Sequence, residues 1–112
     1  MLNKTLNSQI GINFIGHISG EYGLGEGGRA TLRAIEAAGI PFVLKDLKVD
    51  WHRNLDSTYT SFSEEKPYRI NLVHTVPEAG LLNRISSEYF QNCYNIGFWA
   101  WELPILPPAW LY

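Results

Sequence analysis

Between residues 16 and 28 the chain places six glycines in thirteen positions, GHISGEYGLGEGG. An apolar run, Ile10 to Ile15, stands directly before them, and a helix-like period begins at Leu24. A backbone so stripped of side chains must turn sharply or let something approach closely. Strand, glycine loop and helix in that order open a βαβ unit.

The rest of the chain extends that reading. Leu24, Gly28, Thr31, Ile35 and Ala38 recur at spacings of 4, 3, 4 and 3 and mark an apolar face. Glu26, Arg29, Arg33 and Glu36 mark the opposite, charged one. Gly39 stands where a helix-ending glycine belongs. Pro41 to Asp46 reads as a second strand, Arg69 to His74 as a third and Tyr94 to Ala100 as a fourth. Glu78 to Tyr89 reads as a second helix that buries Leu81, Leu82, Ile85 and Tyr89. The fold class that follows is α/β: a Rossmann-like open parallel sheet of about four strands with flanking helices. Residues 1–112 form a single domain in this reading, with 1–9 expected to be disordered and 47–67 a long polar loop. Pro107 and Pro108 look like the first turn of another helix.

Composition excludes several function classes. Nine basic and eleven acidic residues give a net charge of −2 and no basic stripe, so nucleic acid is not an expected partner. The single cysteine, Cys93, cannot form an internal disulfide, and no histidine is spaced to share a metal with it. The first residues, MLNKTLNSQ, lack the apolar stretch of a signal peptide, and the longest apolar run, Ile96 to Trp101, falls far short of a transmembrane segment. A reducing cytoplasm is the expected location.

Ligands of a doubly wound sheet bind beyond the carboxyl ends of its strands. Four groups lie there: the glycine loop with His17, the stretch from Asp46 to Arg53, His74 with Thr75, and Trp99 to Glu102. The glycines are expected to adopt positive φ angles and to aim backbone N–H groups at an anion such as a diphosphate, beside a helix amino terminus. His17 is expected to meet the same anion. Gly23-x-Gly25-x-x-Gly28, with Asp46 placed for a ribose, also matches a dinucleotide fingerprint. That fingerprint starts seven residues beyond Gly16, too far for the tight turn it requires. His74 is placed to hydrogen-bond a sugar hydroxyl or act as a base, while His52 reads as solvated. Trp99 is expected in the core, whereas Trp101 with Glu102 suits a carbohydrate, ring face and carboxylate together.

Taken together these residues resemble the amino-terminal, acceptor-side half of group 1 glycosyltransferases with the GT-B architecture. The resemblance rests on Ile12 to Ala30 (INFIGHISGEYGLGEGGRA), Ala37 to Pro41 (AAGIP), Ile70 to His74 (INLVH), Tyr94 to Pro104 (YNIGFWAWELP) and Pro108 to Trp110 (PAW). It implies transfer of a hexose from a nucleotide diphosphate sugar to a carbohydrate or lipid-linked acceptor, without an obligatory metal or other cofactor. It further implies Gly23, Gly25 and Gly27 at the donor's diphosphate and sugar and His74 at the catalytic position; the chemistry of the residues adds His17 on the donor side and Trp101 and Glu102 at the acceptor. The parent enzyme would lie in the cytoplasm, peripheral at the membrane. The family's carboxyl-terminal domain, which binds the donor nucleotide, has no counterpart within 112 residues, so this chain by itself is expected to be inactive and to self-associate through its aromatic end. A bulky residue at Gly25 is expected to abolish transfer and spare the fold. The alternatives are an NAD-type dinucleotide module and a non-catalytic interaction module.

Overall fold

A computed structural model describes residues 10–50, 53–100 and 104–105. The elements run β1 (Ile12–Gly16), α1 (Gly23–Ala37), β2 (Phe42–Asp46), β3 (Ile70–Thr75), α2 (Ala79–Leu82), a 3₁₀ turn (Ser87–Phe90) and β4 (Tyr94–Trp99). All strand pairs are parallel, in the order β2-β1-β3-β4, so the chain has the expected Rossmann-like open sheet. Each strand falls within a residue or two of its apolar run, because short runs bounded by Gly, Pro and Asp leave little choice of ends.

Side chains alternate between the two faces of the sheet. Phe14 and Leu44 pack with Ile18, Leu32 and Ile35 on the α1 side. Ile15 and Val73 pack with Leu47, Ile85 and Tyr89 on the other. The helix turns a different face inward from the one its period suggested. Gly25, Gly28, Arg29, Leu32 and Ile35 are buried, while Ala38 is exposed. Gly25 packs on the backbone of the preceding loop and Gly28 faces Phe14 of β1.

The end of α1 is as expected. Gly39 takes φ +74°, its N–H donates to Glu36 O at 3.0 Å, and Ile40 N donates to Ile35 O at 3.2 Å, a Schellman closure. The second helix departs from expectation. Instead of one helix over 78–89 there is a single turn, α2, then the 3₁₀ turn capped by Ser86, whose Oγ accepts from Glu88 N at 3.2 Å. A serine that caps locally competes with the helical ladder, and Gly80 weakens it further. Leu81, Ile85 and Tyr89 are nevertheless buried.

The described residues of 47–67 contain no helix or strand, yet they form a bonded strap rather than a loose excursion. Ser63 N donates to Leu44 O at 2.8 Å along the outer edge of β2, Tyr59 OH donates to Glu36 on α1 at 3.1 Å, and Asp56 N reaches Ser19 O at 3.0 Å.

One feature went unrecognised in the sequence. Asn13, Asn71 and Asn95 are in register on β1, β3 and β4. Asn13 Nδ2 donates to Asn71 Oδ1 at 2.9 Å, and Asn71 Nδ2 donates to Asn95 Oδ1 at 2.8 Å and to Tyr89 O at 2.9 Å. Asn13 also exchanges bonds with the Tyr68 backbone, its Nδ2 donating to Tyr68 O at 2.8 Å and its Oδ1 accepting from Tyr68 N at 3.1 Å. Asn13 and Asn71 are fully buried. Satisfied amides of this kind hold a register that a one-residue slip would break at every position.

Asn71→Ala strips a partner from Asn13, Asn95 and the Tyr89 carbonyl at once. It should lower the unfolding free energy by about 3 kcal/mol, read from urea denaturation.

Candidate functional site

In a sheet of this order the topological switch point lies between the carboxyl ends of β1 and β3. Gly16 and His74 are partners in register there, with His17 and Thr75 just beyond. The glycine loop crosses this rim and leads into α1.

None of the six glycines from Gly16 to Gly28 has positive φ; the positive-φ glycines are Gly11 and Gly39. The expectation of a wound backbone is therefore corrected: these glycines serve close approach. Gly25 shows why. A Cβ on it would fall inside the Gly20 carbonyl and lie 2.8 Å from His17 O, so the first turn of α1 sits directly on the loop. The expectation that a bulky residue at Gly25 spares the fold fails for the same reason. A Cβ on Gly27 would stand 3.3 Å from His74 Cε1, whereas one on Gly23 would meet nothing within 4 Å. Of the three donor-side glycines, Gly23 is the one that opens outward.

The loop is held by charged side chains from behind. Arg29, placed on the charged outer face by the helical period, is 5% exposed. Its Nη1 donates to Ile18 O at 2.8 Å and Gly20 O at 2.7 Å, and its guanidinium pairs with Asp56 at 3.5 Å and Glu26 at 3.6 Å. Bonds donated by Thr58 hold the Asp56 carboxyl below its usual range, with Arg29 adding to the effect. Asp46, the candidate ribose acid, has both oxygens on Ser19: Oδ1 accepts from the amide at 3.0 Å and Oδ2 from the hydroxyl. The signal for Arg29 was present in the sequence. The alternative phase through Gly25, Gly28, Leu32 and Ile35 puts it at the margin of the inner face.

His17 is fully buried. Its Nδ1 lies 2.7 Å from the Tyr22 hydroxyl and its Nε2 2.7 Å from Thr75 Oγ1, so it ties the loop to the end of β3. Burial, with Asp46 nearby, pushes the Tyr22 phenol up to about 12, which keeps it a protonated partner for the ring. Tyr22 is also the extended residue that starts α1, and no side chain caps that start. The first helical amides thus have no intrahelical acceptor and lie where Gly23 faces outward.

His74 is 5% exposed, between Phe14 and Phe98 at ring-centroid distances of 6.1 and 4.6 Å. Its Nδ1 is buried with no hydrogen-bond partner among the described residues. Burial holds its pKa below the ordinary 6.5, so the ring is neutral at pH 7. A neutral imidazole can accept or donate a hydrogen bond, but the unused Nδ1 is itself shielded from solvent.

The structure thus brings Gly23, Gly25, Gly27, His17 and His74 together at one rim. Trp101, Glu102 and His52 lie outside the described residues. Trp99 does not enter the core: it is 40% exposed and its ring lies over Gly97, the one position on β4 with no side chain to oppose it. Among the described residues no group of His, Cys, Asp and Glu is arranged to hold a metal, and no helix is long and apolar enough to cross a membrane.

Two outcomes test this geometry. Gly25→Val should cost about 3 kcal/mol in urea denaturation because loop and helix must separate, while Gly23→Val should cost about 0.5 kcal/mol or less. The His74 pKa is depressed in the folded state, so the unfolded chain takes up the proton first as pH falls through 6.5. Stability should therefore be complete above that pH and decline below it toward the folded pKa. In thermal melts from pH 8 to pH 5, His74→Gln should flatten that decline.

No family model matches the chain, and no curated protein or solved structure does. The reading of this rim therefore rests on its own geometry and on the sequence resemblance.

Proposed function

We propose that the chain is the acceptor-side part of a GT-B glycosyltransferase and that its β1–β3 rim receives the diphosphate and transferred sugar of a nucleotide sugar. The observation that carries this reading is the uncapped start of α1 at the switch point, opened by Gly23 and flanked by the neutral His74.

In this reading the amides at the start of α1 donate to a phosphate oxygen, and the helix dipole favours its charge. Gly25 lets the helix sit on the loop and Gly27 leaves room beside His74. His17 acts from behind, fixing Tyr22 and thereby the first turn of α1. His74 offers its imidazole to a hydroxyl of the transferred sugar. Its depressed pKa suits a neutral hydrogen-bonding partner more than a charged one. Trp101 and Glu102 take the acceptor, a ring face and a carboxylate suited to a carbohydrate. Most of the charge stabilisation for the departing diphosphate belongs to a second domain in this reading, and the β1–β3 rim is one half of the site. The proposed setting is the cytoplasm, with the parent enzyme peripheral at the membrane.

The dinucleotide alternative would place a ribose on Asp46. Both oxygens of Asp46, the candidate ribose acid, already accept a bond from Ser19, which holds the carboxylate toward the loop.

Isothermal titration separates the two. A half-site should bind UDP weakly, at about millimolar affinity or some −4 kcal/mol, and Gly23→Val should weaken it at least tenfold with the fold intact by circular dichroism. Micromolar binding of NAD with none of UDP would overturn the proposal.

A further inference from the structure

The strap that follows β2 is fastened at both ends. Toward its carboxyl end Ser63 N donates to Leu44 O at 2.8 Å, Tyr59 OH donates to Glu36 at 3.1 Å, and Lys45 pairs with Glu64. Toward its amino end it grips the glycine loop. Glu21 N donates to Arg53 O at 2.9 Å, Asp56 N to Ser19 O at 3.0 Å and Leu55 N to Glu21 Oε2 at 3.1 Å, with Arg53 Nε 3.4 Å from the same carboxylate. One half of the strap therefore stands on β2 and α1 and serves as a post for the other.

Asp56 is where that post meets the helix. Its carboxylate lies 3.5 Å from Arg29 Nε, and Arg29 Nη1 holds the carbonyls of Ile18 and Gly20. Glu26 pairs with the same guanidinium at 3.6 Å, but its side chain is 70% exposed against 26% for Asp56, so water screens it more strongly. The Gly20 carbonyl that Arg29 holds is also the group on which Gly25 rests, in the first turn of α1. A movement of Arg29 thus reaches that turn through one carbonyl.

We propose that Asp56 is a positioning residue for the nucleotide-sugar rim: through Arg29 it sets the Gly20 carbonyl and thereby the first turn of α1. The role rests on the nucleotide-sugar reading for its ligand and on the contacts alone for its geometry. The competing role is a plain contribution to overall stability, and the two differ in where the chain loosens when the charge is removed. An asparagine at position 56 keeps the bond that the Asp56 amide donates to Ser19 O, and it can still accept from Thr58 N, which donates to Asp56 Oδ1 at 2.9 Å. Only the pull on Arg29 is lost. The guanidinium is then free to turn toward Glu26 and water, and its hold on Gly20 O weakens.

Amide exchange by NMR separates the two roles without any ligand. Glu26 N donates to Tyr22 O at 3.0 Å in the first turn of α1, and Gly20 N donates to His17 O at 3.1 Å in the loop. In Asp56→Asn these two amides should exchange at least fivefold faster, while those of Val73 in β3 and Ala38 at the far end of α1 change less than twofold. Asp56→Glu, which keeps the charge on a longer arm, should accelerate the same two amides by a smaller factor. Calorimetric titration with UDP should show Asp56→Asn binding at least threefold more weakly than the wild-type chain. Equal acceleration of all four amides, or of none, overturns the positioning role, and so does equal UDP affinity in variant and wild type. Should Asp56→Asn not fold, the same two amides are read in Asp56→Glu, where wild-type rates overturn the role. A wild-type chain that binds no UDP at all sinks the nucleotide reading itself, and the amide rates then decide alone whether Asp56 sets the first turn.

Discussion

Asn13, Asn71 and Asn95 occupy the second position of β1, β3 and β4, and their amides bond in a row beneath the sheet. Everything at the other end of the strands depends on that row. With the register set there, Gly16 falls opposite His74, and His17 comes within bonding distance of Thr75. A slip by one residue would bury different side chains on both faces and part this pair. Buried amides are costly unless satisfied, and these are satisfied by one another, by Tyr68 and by Tyr89.

The rim is built from the same economy of partners. Arg29 takes the carbonyls of Ile18 and Gly20, Asp46 takes the amide and hydroxyl of Ser19, and Asp56 offers its amide to the Ser19 carbonyl. The loop's polar groups are thus engaged from behind, which leaves the start of α1 as the group a ligand can satisfy. A loop fixed in this way is preorganised, so a ligand would not have to order it.

The strands were legible because short apolar runs between Gly, Pro and Asp have few alternatives. Gly39 was legible because its place after the last helical turn has one common use. The phase of α1 was misread because Gly25 does not register as apolar, although it packs directly on the loop backbone. Arg29 was misplaced with it. The break in the second helix turned on Ser86 capping locally, a choice that the period of Leu81, Ile85 and Tyr89 could not reveal since both arrangements bury them. The asparagine row did leave a trace, an asparagine between two apolar residues at the start of three strands. Only the pairing of those strands gives the repetition meaning.

The amino-acid sequence by itself determined the element types, the parallel α/β class and the cluster of glycines at the end of β1, since these follow from local periodicity and turn chemistry. Tertiary structure decided what the glycines are for. Their φ angles are ordinary, and it is the distance between Gly25 and the loop backbone that requires them. It also decided which histidine is bound up and which retains an unused nitrogen, and where the strap meets the sheet. Those outcomes depend on residues such as His17 and Thr75, 58 positions apart, and no local pattern carries information about a contact at that separation.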